Sequence, residues 1–306
     1  NTLAARALEP DDRIEKLYED WAAIAVFFGD TGRPTGRTVA VGIVIPNIHM
    51  EPILPVCDTV QDTTPLILLD VILSNVRFCM RPSVRLHAIE LILHLAWGWL
   101  SDDALLDRVL PLLIALIEDS SALVRSRTVY ALSVVITCIE RVSVGNSGLV
   151  LEYLMPKVGS LAEDPSQMVR CMYAERLDSY STNLLRLLAL EHQWHTDATA
   201  SFDTDVGNLQ SWFTQQVRTL LSDSDVNVRC AILARCYEIS VFLGQRVSTF
   251  LPILEHLAAD PDWRVRASVL DAAPAFAEVI PTYTIYPFVL AGQTDSNETV
   301  VVHALR

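Results

Sequence analysis

The stretch Asp260-Pro261-Asp262-Trp263-Arg264-Val265-Arg266 decides the fold, because its pattern recurs along the chain. Asp119-Ser120-Ser121-Ala122-Leu123-Val124-Arg125, Asp164-Pro165-Ser166-Gln167-Met168-Val169-Arg170 and Asp223-Ser224-Asp225-Val226-Asn227-Val228-Arg229 also place an arginine six residues after an aspartate. Asp295-Ser296-Asn297-Glu298-Thr299-Val300-Val301 keeps the frame with valine at its end. Fourteen residues before the last position of each block stand Pro111, Pro156, Pro252 and Pro287, with Gln215 in that place in the block of Arg229. A register held this way means one supersecondary unit used repeatedly: a single copy cannot bury its apolar face, and stacked copies can.

Each block reads as two helices around an acidic turn. Val109, Leu110, Leu113, Ile114 and Ile117 fall at helical spacing and build a first helix, and Ser121 to Ile136 builds a second. The aspartate falls between them, where its carboxylate can cap the free amides of the second helix. In Asp164-Pro165 and Asp260-Pro261 the proline takes a place where a first-turn amide would lack a partner. Successive arginine positions are 45, 59, 37 and 35 residues apart, and Arg85 lies 40 before Arg125. These intervals, the 59 apart, fall near the roughly 40 to 47 residues of HEAT and armadillo repeats. The expectation is an all-α, HEAT-type α-solenoid of about five to six helix pairs over residues 63–306, with an insertion near 191–209 in the long interval.

Residues 1–62 have a different pattern. Asp11 to Phe28 reads as an amphipathic helix, Gly29 to Gly36 as a turn-rich loop, and Thr38 to Ile45 as an extended segment. Pro46, Pro52 and Pro55 keep residues 46–62 non-helical, which gives a long irregular amino-terminal connection laid against the array. Helices resume near Thr64.

Of 306 residues 51% are hydrophobic, ample for a continuous core, and the formal net charge is −14. That charge argues against a nucleic-acid partner and an acidic membrane surface, and it suits a basic protein partner. Cys57, Cys79, Cys138, Cys171, Cys230 and Cys236 show no paired short spacing, so they read as buried free thiols in a reducing compartment. No apolar run is long enough to read as a membrane span and no leader opens the chain. The expectation is therefore a cytoplasmic protein without membrane insertion. The start at Asn1 and the stop in a helical pattern after Val301 suggest a piece of a longer polypeptide.

Several local patterns invite chemistry. Arg125, Arg170, Arg229 and Arg266 could line up as an anion-binding row. Asp30-Thr31-Gly32 spells the aspartic-protease triplet, but no second triplet supplies the partner carboxylate that this mechanism needs. Gly32 to Thr38 resembles a phosphate loop with a residue too few and Arg37 in place of lysine. His192 and His195 share a spacing that a metal could use, yet nothing nearby completes a ligand set, and they read as ordinary surface histidines. The Asn297-Glu298-Thr299 sequon reads as silent in an intracellular protein. Trp263, beside Arg264 and Arg266, either packs on the adjacent repeat or anchors a partner, since Trp and Arg dominate interface hot spots. No catalytic triad, kinase catalytic loop or metal spacing stands out, so neither a cofactor nor a metal is expected and the balance falls toward binding. A phosphatase-type or transport-type HEAT scaffold, or an enzyme with a site in the insertion, stands as the alternative.

The ordered set of blocks resembles one family in particular. Leu105-Leu106-Asp107-Arg108-Val109-Leu110-Pro111-Leu112-Leu113, Tyr153 to Arg170, Tyr173-Ala174-Glu175, Leu220 to Arg229 and Asp260 to Arg266 are similar, in order and spacing, to the helical-repeat region of the class III phosphatidylinositol 3-kinase regulatory subunit, the vacuolar-sorting protein-kinase-like subunit. Arg176, Asp178 and Gln215 depart from its usual pattern. The resemblance implies a non-catalytic scaffold between a kinase-like domain and a β-propeller that lie outside this sequence. It implies partners: the lipid-kinase catalytic subunit and a Beclin-type coiled-coil subunit, in endosomal sorting and autophagy. It also implies that each arginine reaches the turn aspartate of a neighbouring repeat, giving a structural ladder of Asp119, Arg125, Asp164, Arg170, Asp223, Arg229, Asp260, Arg266 and Asp295.

Overall fold

A computed structural model describes residues 64–76, 79–193 and 198–305. These residues form helices and turns, with no strand among them. The amino-terminal helix, the extended connection, Asp30-Thr31-Gly32, Gly32 to Thr38, Cys57 and His195 lie outside the described residues. The chain divides into two compact units between Glu140 and Arg141.

In the first unit, α1 (Thr64–Val76) pairs with α2 (Pro82–Ala96). A helical run of Asp102–Ala104 and a π-helical turn, Leu105–Val109, leads into α3 (Leu110–Leu116), which pairs with α4 (Ala122–Cys138). Helix α2 packs on α4, so each second helix stacks on the next. Leu69, Ile72, Ile89, Ile92, Leu110, Leu113 and Leu132 are fully buried between them. Burying such a side chain contributes about 1.5–3 kcal/mol, and here that gain comes from both partners in a pair and from the pair stacked upon it.

The second unit holds four pairs. They are α5 (Met155–Gly159) with α6 (Gln167–His192); α7 (Ala198–Leu221) with the broken helix α8 (Val226–Leu233) and α9 (Cys236–Leu243); α10 (Leu251–Ala258) with α11 (Trp263–Ala277); and α12 (Thr282–Gln293) with α13 (Glu298–Leu305). The second helices again stack in order, α6 on α8 and α9, these on α11, and α11 on α13. The stacking is close at Gly292, where an added Cβ would stand 2.7 Å from Leu270 Cδ1 and 3.0 Å from the Ala304 Cβ.

Three of the four repeat prolines shape the first helices, while Pro287 lies inside α12, which runs through it unbroken. Pro111, Pro156 and Pro252 each sit in the first two positions of a helix that comes after a looser or tighter turn: π-helical Leu105–Val109 and Leu149–Leu154, and 3-10 helical Gly244–Phe250. Proline has no amide to give to the preceding turn and its ring presses on that turn's carbonyls, so the backbone there leaves the α register. Gly148, at φ +87, opens the second of these turns in a left-handed conformation that other side chains rarely adopt. Gln215 supplies an amide, and α7 runs unbroken through it for 24 residues.

One local expectation requires correction. The turn aspartates do not cap the second helices directly. Each Oδ1 accepts the amide two residues on, from Ser121, Ser166, Asp225, Asp262 and Asn297, at 2.7–2.8 Å. Those residues are themselves at or next to the cap, and Asp225, Asp262 and Asn297 then accept the amides of Asn227, Arg264 and Thr299. Pro165 and Pro261 consequently lie in the turn and not in the first helical turn. In the interval read as an insertion near 191–209, α6 runs to His192 and α7 begins at Ala198.

Candidate functional site

The repeated charges assemble around the turns. Arginine Nη1 donates to the carbonyl six residues earlier at every described position: Arg85 to Cys79, Arg125 to Asp119, Arg170 to Asp164, Arg229 to Asp223 and Arg266 to Asp260, at 2.7–2.8 Å. The other side of the guanidinium reaches the aspartate of the next turn. Arg170 Nε and Nη2 lie 2.6 and 3.1 Å from Asp223 Oδ2 and Oδ1. Arg266 holds Asp295 at 2.7 and 2.8 Å, Arg229 Nη2 stands 2.8 Å from Asp260 Oδ2, and Arg85 stands 2.7 Å from Asp119 Oδ2. Arg125 is in the first unit and Asp164 in the second.

Each such rung therefore ties three things: the arginine's own turn, through a carbonyl; the next turn, through a carboxylate; and that turn's entry amide, through the same carboxylate. The four pairs are 6–15% exposed at the side chain. Hydrogen bonding to Asp223 raises the Arg170 pKa, and bonding to Asp295 raises that of Arg266. The same bond from Arg266 holds the Asp295 carboxyl below its ordinary range. Guanidinium groups committed in this way have few donors left for an external anion, which disfavours the anion-binding row.

Arg85 is absent from the ladder as read in the sequence, because Cys79 stands where the other blocks have aspartate. The contact at that position uses the backbone carbonyl, which any residue supplies. The 40-residue interval to Arg125 is the available signal. Val301, in contrast, cannot extend a rung.

Further cross-repeat contacts have no sequence signal. Arg127 donates to both carboxylate oxygens of Glu90 while lying 4.3 Å over the Tyr130 ring, and His303 Nδ1 stands 2.6 Å from Asp271 Oδ1. Both link a residue five beyond one arginine position with a residue two beyond the next, using different residue types each time.

Trp263 is the first residue of α11 and is 41% exposed. Arg264 beside it is exposed, bonded to Asp262 through Nη2 at 2.8 Å and reaching Asn227 Oδ1 at 3.4 Å. The Arg264 hydrogen bonds hold the Asp262 carboxyl at about 2.

At the far end of α6, Glu191 accepts the amides of Gly148 and Val150 at 3.2 and 2.9 Å and so closes the start of the π-helical turn. Burial pushes its pKa up against the pull of those two amides. His192 is not an ordinary surface histidine: its side chain is 11% exposed, 3.0 Å from Asp205 Oδ2 and edge-on to Phe202. Phe202 and Asp205 belong to the start of α7, in residues that the sequence pattern assigns to an insertion.

Among the described residues, no group of three or more His, Cys, Asp and Glu is placed to hold a metal ion, and no helix is long and apolar enough to cross a membrane. Cys79 and Cys236 are buried and Cys138, Cys171 and Cys230 half-buried, all as free thiols, with desolvation pushing Cys171 up to about 11. A recess beside the last rung, lined by Arg266, Phe288 and Asp295, has about 210 Å³ of empty space even with open solvent counted, below the range of ligand pockets.

Comparison with known proteins gives this repeat geometry its family. The model of the PIK3R4-like middle domain matches residues 68–306. The chain belongs to the PIK3R4-like family. Within this middle domain every rung described above falls inside the matched residues. The probable serine/threonine-protein kinase vps15 of Dictyostelium discoideum is 25% identical over 259 residues, or 78% of this chain and 13% of that protein. A non-specific serine/threonine protein kinase of Candida glabrata is 25% identical over 81% of this chain and 19% of its own length. The serine/threonine-protein kinase VPS15 of Arabidopsis thaliana is 26% identical over 71% of this chain and 16% of its own. The PIK3R4-like chain thus spans under a fifth of the length of these relatives. A designed armadillo repeat protein aligns over 78% of this chain and 97% of its own, at 15% identity and a TM-score of 0.46.

Proposed function

We propose that this chain is a non-catalytic protein-interaction scaffold, the HEAT segment of a regulatory subunit in a class III phosphatidylinositol 3-kinase complex. The observation that carries the reading is the match of the PIK3R4-like middle domain over residues 68–306. The geometry supports it: within each unit the guanidinium groups of Arg85, Arg170, Arg229 and Arg266 pin their own turn and the next, so the helix pairs of that unit stack in one repeat register and expose surface for partners. On this reading the serine/threonine-kinase activity named for the relatives resides outside residues 64–305. The partners are the lipid-kinase catalytic subunit and a Beclin-type coiled-coil subunit, and the complex works in the cytoplasm at endosomal and autophagic membranes. Trp263 and Arg264 at the mouth of α11 are candidate contact residues for a protein partner.

The test uses the full-length protein. Residues 64–305 are replaced by an unrelated helical-repeat array with the same number of helix pairs, and recovery of the lipid-kinase catalytic subunit and its 3-phosphoinositide product are measured. Loss of both, with a folded and expressed protein, is the expected result; undiminished recovery and product would remove the scaffold reading.

A further inference from the structure

Counting from the rung arginines exposes a second pattern, on the opposite side of the second helices from their buried stripe. Five, eight and twelve residues beyond Arg229 stand Ala234, Tyr237 and Val241, all exposed. Tyr237 and Val241, four apart, share one stripe of α9, and Ala234 stands at the break just before it. Tyr237 is 54% and Val241 66% exposed, so this is a strip of apolar surface left in water. The corresponding positions on α6 are Glu175, Asp178 and Thr182, and on α11 they are Asp271, Pro274 and Glu278. The Arg170–Asp223 and Arg229–Asp260 rungs hold the three helices in this common register, with α8–α9 between α6 and α11. Carboxylates therefore flank the apolar strip on both sides, and Glu238 adds one next to Tyr237.

These charges are only partly answered. Arg235 approaches Asp178 at 3.9 Å, His303 takes Asp271, and Arg176 lies one residue beyond Glu175. Among the described residues, Glu238 and Glu278 have no ion-pair partner.

We infer that the exposed faces of α6, α8–α9 and α11 form a docking surface for a basic amphipathic segment of another protein. An apolar stripe on that segment covers Tyr237, Val241 and Ala234, and lysines or arginines on its two flanks meet Glu175 and Asp178 on one side and Asp271, Glu238 and Glu278 on the other. Tyr237 and Val241 stand about 6 Å apart along α9, one helical turn, which suits apolar residues at i and i+4 of a docked helix. Tyr237 supplies the large amphipathic anchor that such interfaces favour. The carboxylates repel the alternative macromolecules with anionic surfaces, namely nucleic acid and acidic lipid. The inference does not depend on which complex the chain serves.

The test is fluorescence anisotropy with the 306-residue chain and labelled peptides of about 18 residues made of leucine and lysine, the leucines on one helical face. A scrambled peptide of the same composition and a leucine–glutamate version of the same pattern are the controls. The patterned lysine peptide is expected to bind about tenfold or more tightly than either control. Tyr237→Ser and Glu278→Lys, both at exposed positions, each weaken it about fivefold or more while the thermal unfolding midpoint stays unchanged. Equal binding of the scrambled peptide, or no effect of either substitution, overturns the inference. So does sedimentation showing that the chain self-associates and that Tyr237→Ser abolishes this, because the occupant is then a second copy.

Discussion

Replacing Arg170 with alanine should destabilise the second unit by about 2–3 kcal/mol, and the structure supplies the reasoning. The guanidinium makes two bonds to Asp223 and a third, at 2.8 Å, to the Asp164 carbonyl. Removing one member of a fully buried ion pair costs about 3–5 kcal/mol, mostly for stranding the other charge. Here the side chains keep 14% and 6% exposure and Asp223 retains the Asp225 amide at 2.8 Å, which lowers the cost. The Asp164 carbonyl also loses a donor. At about 2–4 °C per kcal/mol for a unit of this size, the midpoint should fall by about 4–12 °C. Urea and thermal unfolding of Arg170→Ala, Arg170→Met, Asp223→Asn and the Met/Asn double variant measure it; Asn keeps an oxygen for the Asp225 amide. A coupling energy of about 1–3 kcal/mol is expected for residues in one network. Coupling indistinguishable from zero, or an Arg170→Ala midpoint equal to wild type, would refute the claim that the rungs tie neighbouring repeats together.

Arg264→Ala is the contrasting case: the residue is exposed and paired only with its own helix start and Asn227, so the unfolding midpoint should not move while any partner binding through Trp263 and Arg264 weakens. Gly292→Ala forces a Cβ into Leu270 and Ala304, and although the leucine tip can turn away, the Ala304 Cβ cannot, so denaturant titration should show a loss of about 1–3 kcal/mol. Glu191 binds its proton more tightly folded than unfolded, so its contribution is present below the unfolded value and is lost as pH rises through the raised folded value. Glu191→Gln should remove that fall from a stability profile recorded between about pH 4 and 7. Asp295 has the opposite sign: its lowered folded value makes the Arg266 rung fully present above the unfolded carboxyl value of about 3.9 and lost as pH drops below it, and Asp295→Asn should flatten this acid limb.

The repeat was legible because its signal is a register of unlike residue types, and each type does a different job. Proline marks the first helix and perturbs it in three blocks, although α12 runs through Pro287 without a break; aspartate folds the turn and arginine links turns. Arg85 was harder to place because its own-turn contact is to a backbone carbonyl, so sequence carries no trace of that partner. Glu90 with Arg127 and Asp271 with His303 share a register but not a residue type, which leaves no motif to find. The burial of His192 depends on Phe202 and Asp205 coming round on α7, a tertiary contact that periodicity in α6 could not report. The apolar strip at Tyr237 and Val241 emerged only when three helices were set side by side by their rungs.

The central claim, that this middle domain serves as a partner-binding scaffold, is tested most directly by hydrogen exchange on the full-length protein, alone and assembled with the lipid-kinase catalytic subunit. Slower amide exchange on assembly at exposed positions within residues 64–305 is the result predicted. Exchange unchanged throughout those residues, with protection gained elsewhere in the same protein, would contradict it.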